Sequence, residues 1–582
     1  MAARLCHVVT RAHYPDGVTV PVVHRTEIDG VPAFWVDSSR PTLEASLYFR
    51  CGLVDQTFPT AGWFHLVEHL VLRGTHGRDR DINGSVDLTV TSFDVSGDPD
   101  VVAAHLATIT SRMRTVAQAD LDHELKVLPR EIAERGGDPW LAPALRLRYG
   151  PHGPGLADDH YALWSATAES AAALMRRVLV RQNAALCLSG PPPAGLRLDL
   201  GDGAPWPTPT LPTPLDTYPC SRVGVPVVAT VSGTVRRSAA ARAMADLLIA
   251  DVMDDLRHGD GTSYTPQGGY VALSAHDALV FVGAEADEET APRIGNACLA
   301  AAEALASRGP TAADVEANVR ATVRQLTDPL AAAAHAWNAA RECVEGSSYD
   351  PGRYLEEVRT ITTDQVQHAA RELVATTLLA LPDTPEPGAF PVPHRSDPDT
   401  ESVPADHVAT MKAADGSGDE MRLGSSGFTL VSGGLTRVYP YTDVIGVACW
   451  PDGRREVYRR DGSFARYRPS WWREPQAFEA ALDAAVSKGL VVTGNPAEEW
   501  PEPGRGGGYA DLLLAIAVIV LTVAGVVFWV GAGGVRFARH FNPDAFAGWP
   551  VVPLLVFGVV ALAGAWGLGA LRERLYPDTE ES

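Results

Sequence analysis

The stretch Gly62-Trp63-Phe64-His65-Leu66-Val67-Glu68-His69-Leu70 decides how this chain is read. On an α-helix, residues four apart share a face, so His65 and His69 project side by side. That is the separation two imidazoles need to grip one metal ion such as zinc. Glu68 follows His65 by three positions and reaches the same face. There its carboxylate can take a proton from water whose pKa the ion has lowered. Phe64, Leu66, Val67 and Leu70 supply the apolar side of the helix. The same spacing also arises when two surface histidines flank a solvated glutamate, so the motif needs support from its surroundings.

A catalytic zinc requires a third protein ligand and an open fourth position. Downstream, Leu121-Asp122-His123-Glu124-Leu125-Lys126-Val127-Leu128-Pro129-Arg130-Glu131-Ile132 carries two carboxylates separated by two helical turns. Glu124 and Glu131 therefore share a face. By itself Glu131 reads as part of a solvated helix face. Beside the histidine pair it becomes a candidate ligand.

With these residues in view, the chain resembles the pitrilysin/insulinase family of inverted-motif zinc peptidases, in the single-repeat form. The resemblance runs through Ala45-Ser46-Leu47-Tyr48-Phe49-Arg50-Cys51-Gly52, Ala61-Gly62 and the His-x-x-Glu-His motif to Leu72-Arg73-Gly74-Thr75. It continues through Thr91-Ser92-Phe93-Asp94, the glutamate pair, and Asn183-Ala184-Ala185-Leu186 before Gly190, covering about residues 15–383. It implies that His65, His69 and Glu131 bind zinc, that Glu68 is the general base, and that Glu124 supports the site from behind. Arg257, with Tyr264 seven residues later, is similar to the family's Arg…Tyr pair. Such a pair steadies the substrate carbonyl as it becomes an oxyanion. A surface arginine and a loop tyrosine after Gly259-Asp260-Gly261 remain the alternative. Two departures stand out. Leu88 occupies the place of the usual amide in Asn-Ala-x-Thr-Ser, with Asn83 nearby in another register, and the stretch between His69 and Glu131 is short for the family.

The expected fold class is α+β: a tandem pair of pitrilysin-like α/β sandwich domains, a small β-meander-plus-helix module, then two transmembrane helices. Residues 1–200 form the zinc-binding half and 223–383 the second half, separated by a Pro-rich linker at 201–222. Strand-like runs at Val18 to Val23, Ala45 to Phe49 and Val225 to Val231 lead into Ala-rich helices, in the second half at 239–256, 288–307 and 311–326. Residues 384–424, rich in Pro, Asp, Ser and Thr, read as a disordered tether. A module at 425–490, punctuated by Pro451-Asp452-Gly453 and Asp461-Gly462, looks weakly like a pleckstrin-homology domain. Its arginines (Arg454, Arg455, Arg459, Arg460, Arg466, Arg468 and Arg473) either meet anionic headgroups or solvate strand faces. A linker at 491–508 precedes two uncharged runs, Leu512 to Val535 and Ala545 to Leu571. Each exceeds the roughly 20 residues that cross a bilayer. They predict spans at 509–535 and 549–571, joined by a short loop at 536–548 and followed by an acidic tail at 572–582.

Acidic residues outnumber basic ones 71 to 49, giving a net charge of -22, which argues against a nucleic-acid partner. The seven cysteines are scattered and form no Cys-x-x-Cys, so neither a disulfide scaffold nor a thiolate zinc knuckle is expected. No apolar stretch precedes Arg11 and His13, so the peptidase part is expected in the cytoplasm, tethered to the membrane. The expected function is a membrane-anchored zinc metalloendopeptidase acting on peptides or unfolded segments. The alternative is a non-catalytic peptidase-like subunit that binds peptides or supports an active partner. Single-repeat members resemble half of a clamshell, which implies a homodimer or a second peptidase-like subunit.

Overall fold

The computed structural model describes residues 20–37, 42–135, 139–207, 210–225, 227–259, 266–395, 407–414, 418–432, 435–496, 498 and 500. Both apolar runs expected to cross a membrane lie outside these residues, as do the short loop and acidic tail. Among the described residues no helix is long and apolar enough to cross a membrane.

The first half contains β1 (His24–Ile28), β2 (Val31–Trp35), β3 (Leu43–Phe49), α1 (Trp63–Leu72), β4 (Arg80–Val86), β5 (Thr91–Gly97), α2 (Pro99–Arg112), α3 (Gln118–Arg135), α4 (Leu141–Tyr149), α5 (Ala168–Val178) and β6 (Ala184–Leu188). Its six strands form one mixed sheet in the order β1-β2-β6-β3-β5-β4. Side chains alternate between the faces of a strand. On one face Ala45, Leu47, Phe49, Phe93 and Leu186 join Phe64 and Leu66 of α1 and Leu106 of α2 in a buried core. Strand β4 sits at the sheet's edge. There its alternation of exposed Asn83 and Ser85 with half-buried Ile82, Gly84 and Val86 turns one side toward α1.

The second half contains β7 (Cys220–Val223), β8 (Val228–Arg236), α6 (Ala239–Met253), β9 (Gln267–Ala272), β10 (Asp277–Glu285), α7 (Ala291–Arg308), α8 (Ala312–Thr327), α9 (Ala332–Val344), α10 (Pro351–Arg359), α11 (Thr363–Ala375) and β11 (Leu378–Leu381). The sheet order is β7-β11-β8-β10-β9. Val231, Val280, Val282 and Leu379 pack against α6, α7 and α11. The expected strand over 18–23 does not form at residues 20–23, and of the run expected at Val225 to Val231 only Val228 onward is strand, within β8, while β7 lies wholly ahead of it.

The two halves exchange a helix each. Helix α4 of the first half packs under the second sheet, where Leu145 and Tyr149 meet Leu273 and Leu279. Helix α9 of the second half packs on the far face of the first sheet, where Ala333, Ala336, Ala339 and Ala340 meet Phe34, Val36, Ala185 and Cys187. Small side chains let α9 lie close to the strands. Arg148 pins the exchange: fully buried, it donates to the Ser232 and Thr376 carbonyls at 3.0 Å each.

A third unit follows, built from β12 (His407–Lys412), β13 (Glu420–Gly424), β14 (Gly427–Ser432), β15 (Leu435–Pro440), β16 (Val444–Cys449), β17 (Arg455–Arg459), β18 (Phe464–Tyr467), α12 (Gln476–Ala485) and β19 (Val491–Thr493). Two four-stranded sheets, β12-β13-β14-β15 and β18-β17-β16-β19, share one core of Phe428, Tyr439, Val457, Tyr467 and Phe478. This corrects the tether expected over 384–424. Its last part supplies β12, which pairs with β13, and β13, which pairs with β14. Its first part docks on the second half, where Phe390 packs into the core and His394 bridges to Ser221. Residues 396–406 and 415–417 of that stretch lie outside the described residues.

Candidate metal centre

Helix α1 opens at Gly62, whose φ of +89° is a left-handed conformation that favours glycine. The Gly62 N–H donates to Gln56 Oε1 at 2.7 Å, fixing the start of the helix. One turn on, the rings of His65 and His69 lie 4.9 Å apart, nearly perpendicular. Helix α3 crosses α1 and delivers both glutamates of the seven-residue pair.

The Glu131 carboxylate faces both imidazoles. Its Oε2 lies 3.2 Å from His69 Nε2 and its Oε1 3.6 Å from His65 Nε2. Two atoms each about 2.1 Å from a tetrahedral ion sit roughly 3.4 Å apart, so this donor set fits zinc in spacing and in chemistry. Glu68 Oε2 stands slightly farther, 3.8 Å from His65 Nε2 and 3.9 Å from His69 Nε2. His65, Glu68 and His69 bring their donor atoms within 4.8 Å of one another. The position of Glu68 suits a proton acceptor beside the ion better than a ligand to it.

Behind this group, Glu124 accepts a hydrogen bond from His69 Nδ1 at 3.0 Å. With Nδ1 carrying the proton, the Nε2 lone pair points at the centre. Arg73 holds Glu124 in turn, donating from Nη1 to Glu124 Oε1 at 2.8 Å and from Nε to Asp120 at 2.7 Å. A cleft of about 330 Å³ opens beside His65, Glu68 and Glu131, bounded by Gln56, Val86 and His160. Edge strand β4 forms one wall, and its Gly84 presses against Glu68 so closely that a Cβ would lie 2.2 Å from Oε1.

The structure thus brings together five of the seven expected site residues: His65, Glu68, His69, Glu124 and Glu131. Arg257 lies elsewhere, exposed in the π-helical turn Asp254–Gly259 after α6, and does not line the cleft. Tyr264 lies outside the described residues. Leu88, in the place of the usual amide, is buried with Val54, Tyr149 and Leu273 between the halves. Asn83 is exposed on β4.

His160 was missed by sequence reasoning. Its Nε2 lies 3.4 Å from His65 Nδ1, and its Nδ1 lies 3.0 Å from the Asp158 carbonyl oxygen. Burial pushes its pKa below the ordinary value, favouring the neutral ring. No motif marks it. The residue meets α1 only through the fold, from a loop nearly a hundred positions downstream.

Compared with family models and with curated proteins, the sequence matches none. The structure does match solved ones. A protease from Helicobacter pylori matches with a TM-score of 0.52 at 14% identity, over 62% of this chain and 99% of that one. A peptidase M16 inactive domain from Pseudomonas fluorescens gives 0.52 at 14%, over 62% and 97%. Pitrilysin gives 0.50 at 10%, over 66% of this chain and 47% of that one. The fold is therefore pitrilysin-like, shared by peptidases and by a domain described as inactive. At these identities the likeness is one of fold alone.

Proposed function

We propose that this chain is a zinc metallopeptidase that hydrolyses peptides or unfolded segments. The convergence of His65 Nε2, His69 Nε2 and the Glu131 carboxylate beside an acidic side chain and an open cleft carries the reading. Zinc held by those three residues supplies Lewis acidity, lowering the pKa of water and polarising a carbonyl. The chain's own residues do the rest. Glu68, almost fully buried, receives a proton from the attacking water and holds it for the departing amine. Glu124 and Arg73 fix His69 in the tautomer a metal requires. Strand β4, at the sheet's edge beside Glu68, offers its backbone to a substrate in extended form.

Arg257 and Tyr264 would stabilise the oxyanion from a second copy of the chain or from a related subunit, since Arg257 does not line this cleft. Mixing Glu68→Gln chains with Tyr264→Phe chains should restore activity if sites are shared. No recovery would assign each chain a self-contained site. We further read 407–493 as a pleckstrin-homology-like module and the two C-terminal apolar runs as a membrane hairpin, on the cytoplasmic side of which the peptidase part would work.

The testing experiment is zinc content and peptide cleavage by the full chain. About one zinc per chain is expected, reduced in His65→Ala, with cleavage abolished in Glu68→Gln while zinc is retained. A folded wild type without zinc would sink the enzyme reading. Zinc without cleavage would favour the second reading, a peptide-binding subunit without catalysis, which the change at Leu88 also favours.

A further inference from the structure

We propose that His160 is a positioning residue for His65 and that the third unit, residues 407–493, holds it in place. The inference rests on the zinc reading above. The Asp158 carbonyl can only accept, so the hydrogen bond at 3.0 Å puts the proton of His160 on Nδ1. His160 Nε2 is then the acceptor, and the His65 Nδ1–H, 3.4 Å away, is the donor. His65 is left with its Nε2 lone pair facing Glu131. His160 does for His65 what Glu124 does for His69, with a neutral ring in place of a carboxylate.

The His160 segment is clamped from two sides. Toward α1, Ala162 N–H donates to the Ala61 carbonyl, Trp63 Nε1 donates to the Ala162 carbonyl at 2.8 Å, and Gln56 Nε2 donates to the Leu156 carbonyl. A Cβ on Gly62 would come within 3.0 Å of the His160 ring, so glycine at the helix start also makes room for this histidine. On the other side stands the third unit. Tyr161 stacks on Phe58 at 4.9 Å and meets Tyr458 of β17 at 4.7 Å, while Tyr458 reaches Phe58 at 4.9 Å. Gly446 of β16 lies flat against the Phe58 ring, where any side chain would collide. Arg146 braces the segment by pairing with Asp159 and donating to Tyr161 Oη at 2.9 Å. Thr493 N–H donates to Ser165 Oγ at 2.6 Å, extending the contact beyond the aromatic cluster. The third unit thus reaches the metal centre through two adjacent residues, Tyr161 and His160.

The test measures zinc affinity of the full chain by competition with a chromophoric chelator, together with the visible absorption of the cobalt-substituted protein. His160→Leu should weaken zinc binding about 10- to 100-fold, the usual cost of losing a partner behind a metal ligand. His160→Gln, whose amide oxygen can accept from His65 Nδ1, should recover most of that loss. Tyr458→Leu, which alters no cleft residue, should weaken binding in the same direction and shift the cobalt bands. It carries the test alone if His160→Leu fails to fold. Unchanged affinity and spectrum in these variants, with zinc bound by the wild type, would overturn the inference and leave the zinc reading standing. A wild type that binds no zinc would overturn both.

Discussion

A methyl group at Gly84 would lie 2.2 Å from Glu68 Oε1 and 2.7 Å from its Cγ and Cδ. Strand β4 could keep its place only if the whole Glu68 side chain swung aside. Gly84→Ala should therefore fold and retain zinc, yet lose at least about tenfold in kcat, because a 1 Å misplacement of a reacting group is costly. Paired zinc analysis and steady-state kinetics would show it; unchanged kcat would mean Glu68 acts from another rotamer. Glu124→Ala should act on the metal instead, weakening zinc about 10- to 100-fold by freeing the His69 ring and leaving Arg73 with only Asp120. Helical spacing made legible which of the two histidines and three glutamates share a face within α1 and within α3; that the two faces meet was implied by the family resemblance, since spacing within one helix says nothing of its neighbour. Gly84 and His160 were not legible. Each reaches the site across the sheet or from a loop, where no local periodicity links positions.

At the scale of elements, α2 carries a built-in acid sensitivity. His105 is buried on its inner face, and neither ring nitrogen finds a hydrogen-bond partner among the described residues. Burial, aided by Arg80 and His76, holds its pKa at about 4 against 6.5. Between those values the unfolded chain binds more protons than the folded one, so stability falls as pH drops from about 6.5 toward 4. His105→Leu should remove about 2–3 kcal/mol of that acid loss, read as a flatter dependence of urea unfolding on pH. A slope matching the wild type would place the acid sensitivity elsewhere. Helices α6, α7 and α8 follow the expected ranges within a few residues, because Ala-rich periodic segments declare themselves. The start of the third unit was hidden for a different reason. Strands β12 and β13 are short, and they join the sheet only in series, β12 on β13 and β13 on β14. Within that unit, Arg454, Arg459 and Arg466 pair with Asp452, Asp461 and Glu456, so at least three of its seven candidate headgroup-binding arginines are already held in ion pairs.

For the whole molecule, a buried ionic network joins the halves beside the metal cleft. Glu345, at the end of α9, accepts from Thr89 Oγ1 at 2.6 Å, Arg237 Nη1 at 2.8 Å and Arg341 Nε at 3.3 Å. Arg341 continues to Asp87, in the turn after β4. Removing Glu345 takes the central acceptor out of the network: Arg237 keeps Glu342 and Arg341 keeps Asp87, while the Thr89 hydroxyl loses its acceptor. Glu345→Ala should cost about 3 kcal/mol or more in urea unfolding, whereas Arg320→Ala, on an exposed pair with Glu316, should change stability by less than about 1 kcal/mol. Equal effects would deny the network any part in joining the halves. The tandem arrangement of two α/β halves was legible from their repeated pattern of strands and helices. The exchange of α4 and α9 was not, since an apolar helix face does not say which sheet it will cover.

That exchange also sets a timetable for the newborn chain. Strand β6 completes the first sheet at Leu188, but the helix that covers its far face begins only at Ala332. At a synthesis rate of 5–20 residues per second, Phe34, Val36, Ala185 and Cys187 wait on the order of ten seconds for their cover. During that interval the nascent first half carries a naked greasy wall on the ribosome, a natural landing place for a holding chaperone. Ribosome profiling with chaperone pulldown would detect the interval as occupancy rising after Leu188 emerges and falling once α9 has cleared the exit tunnel.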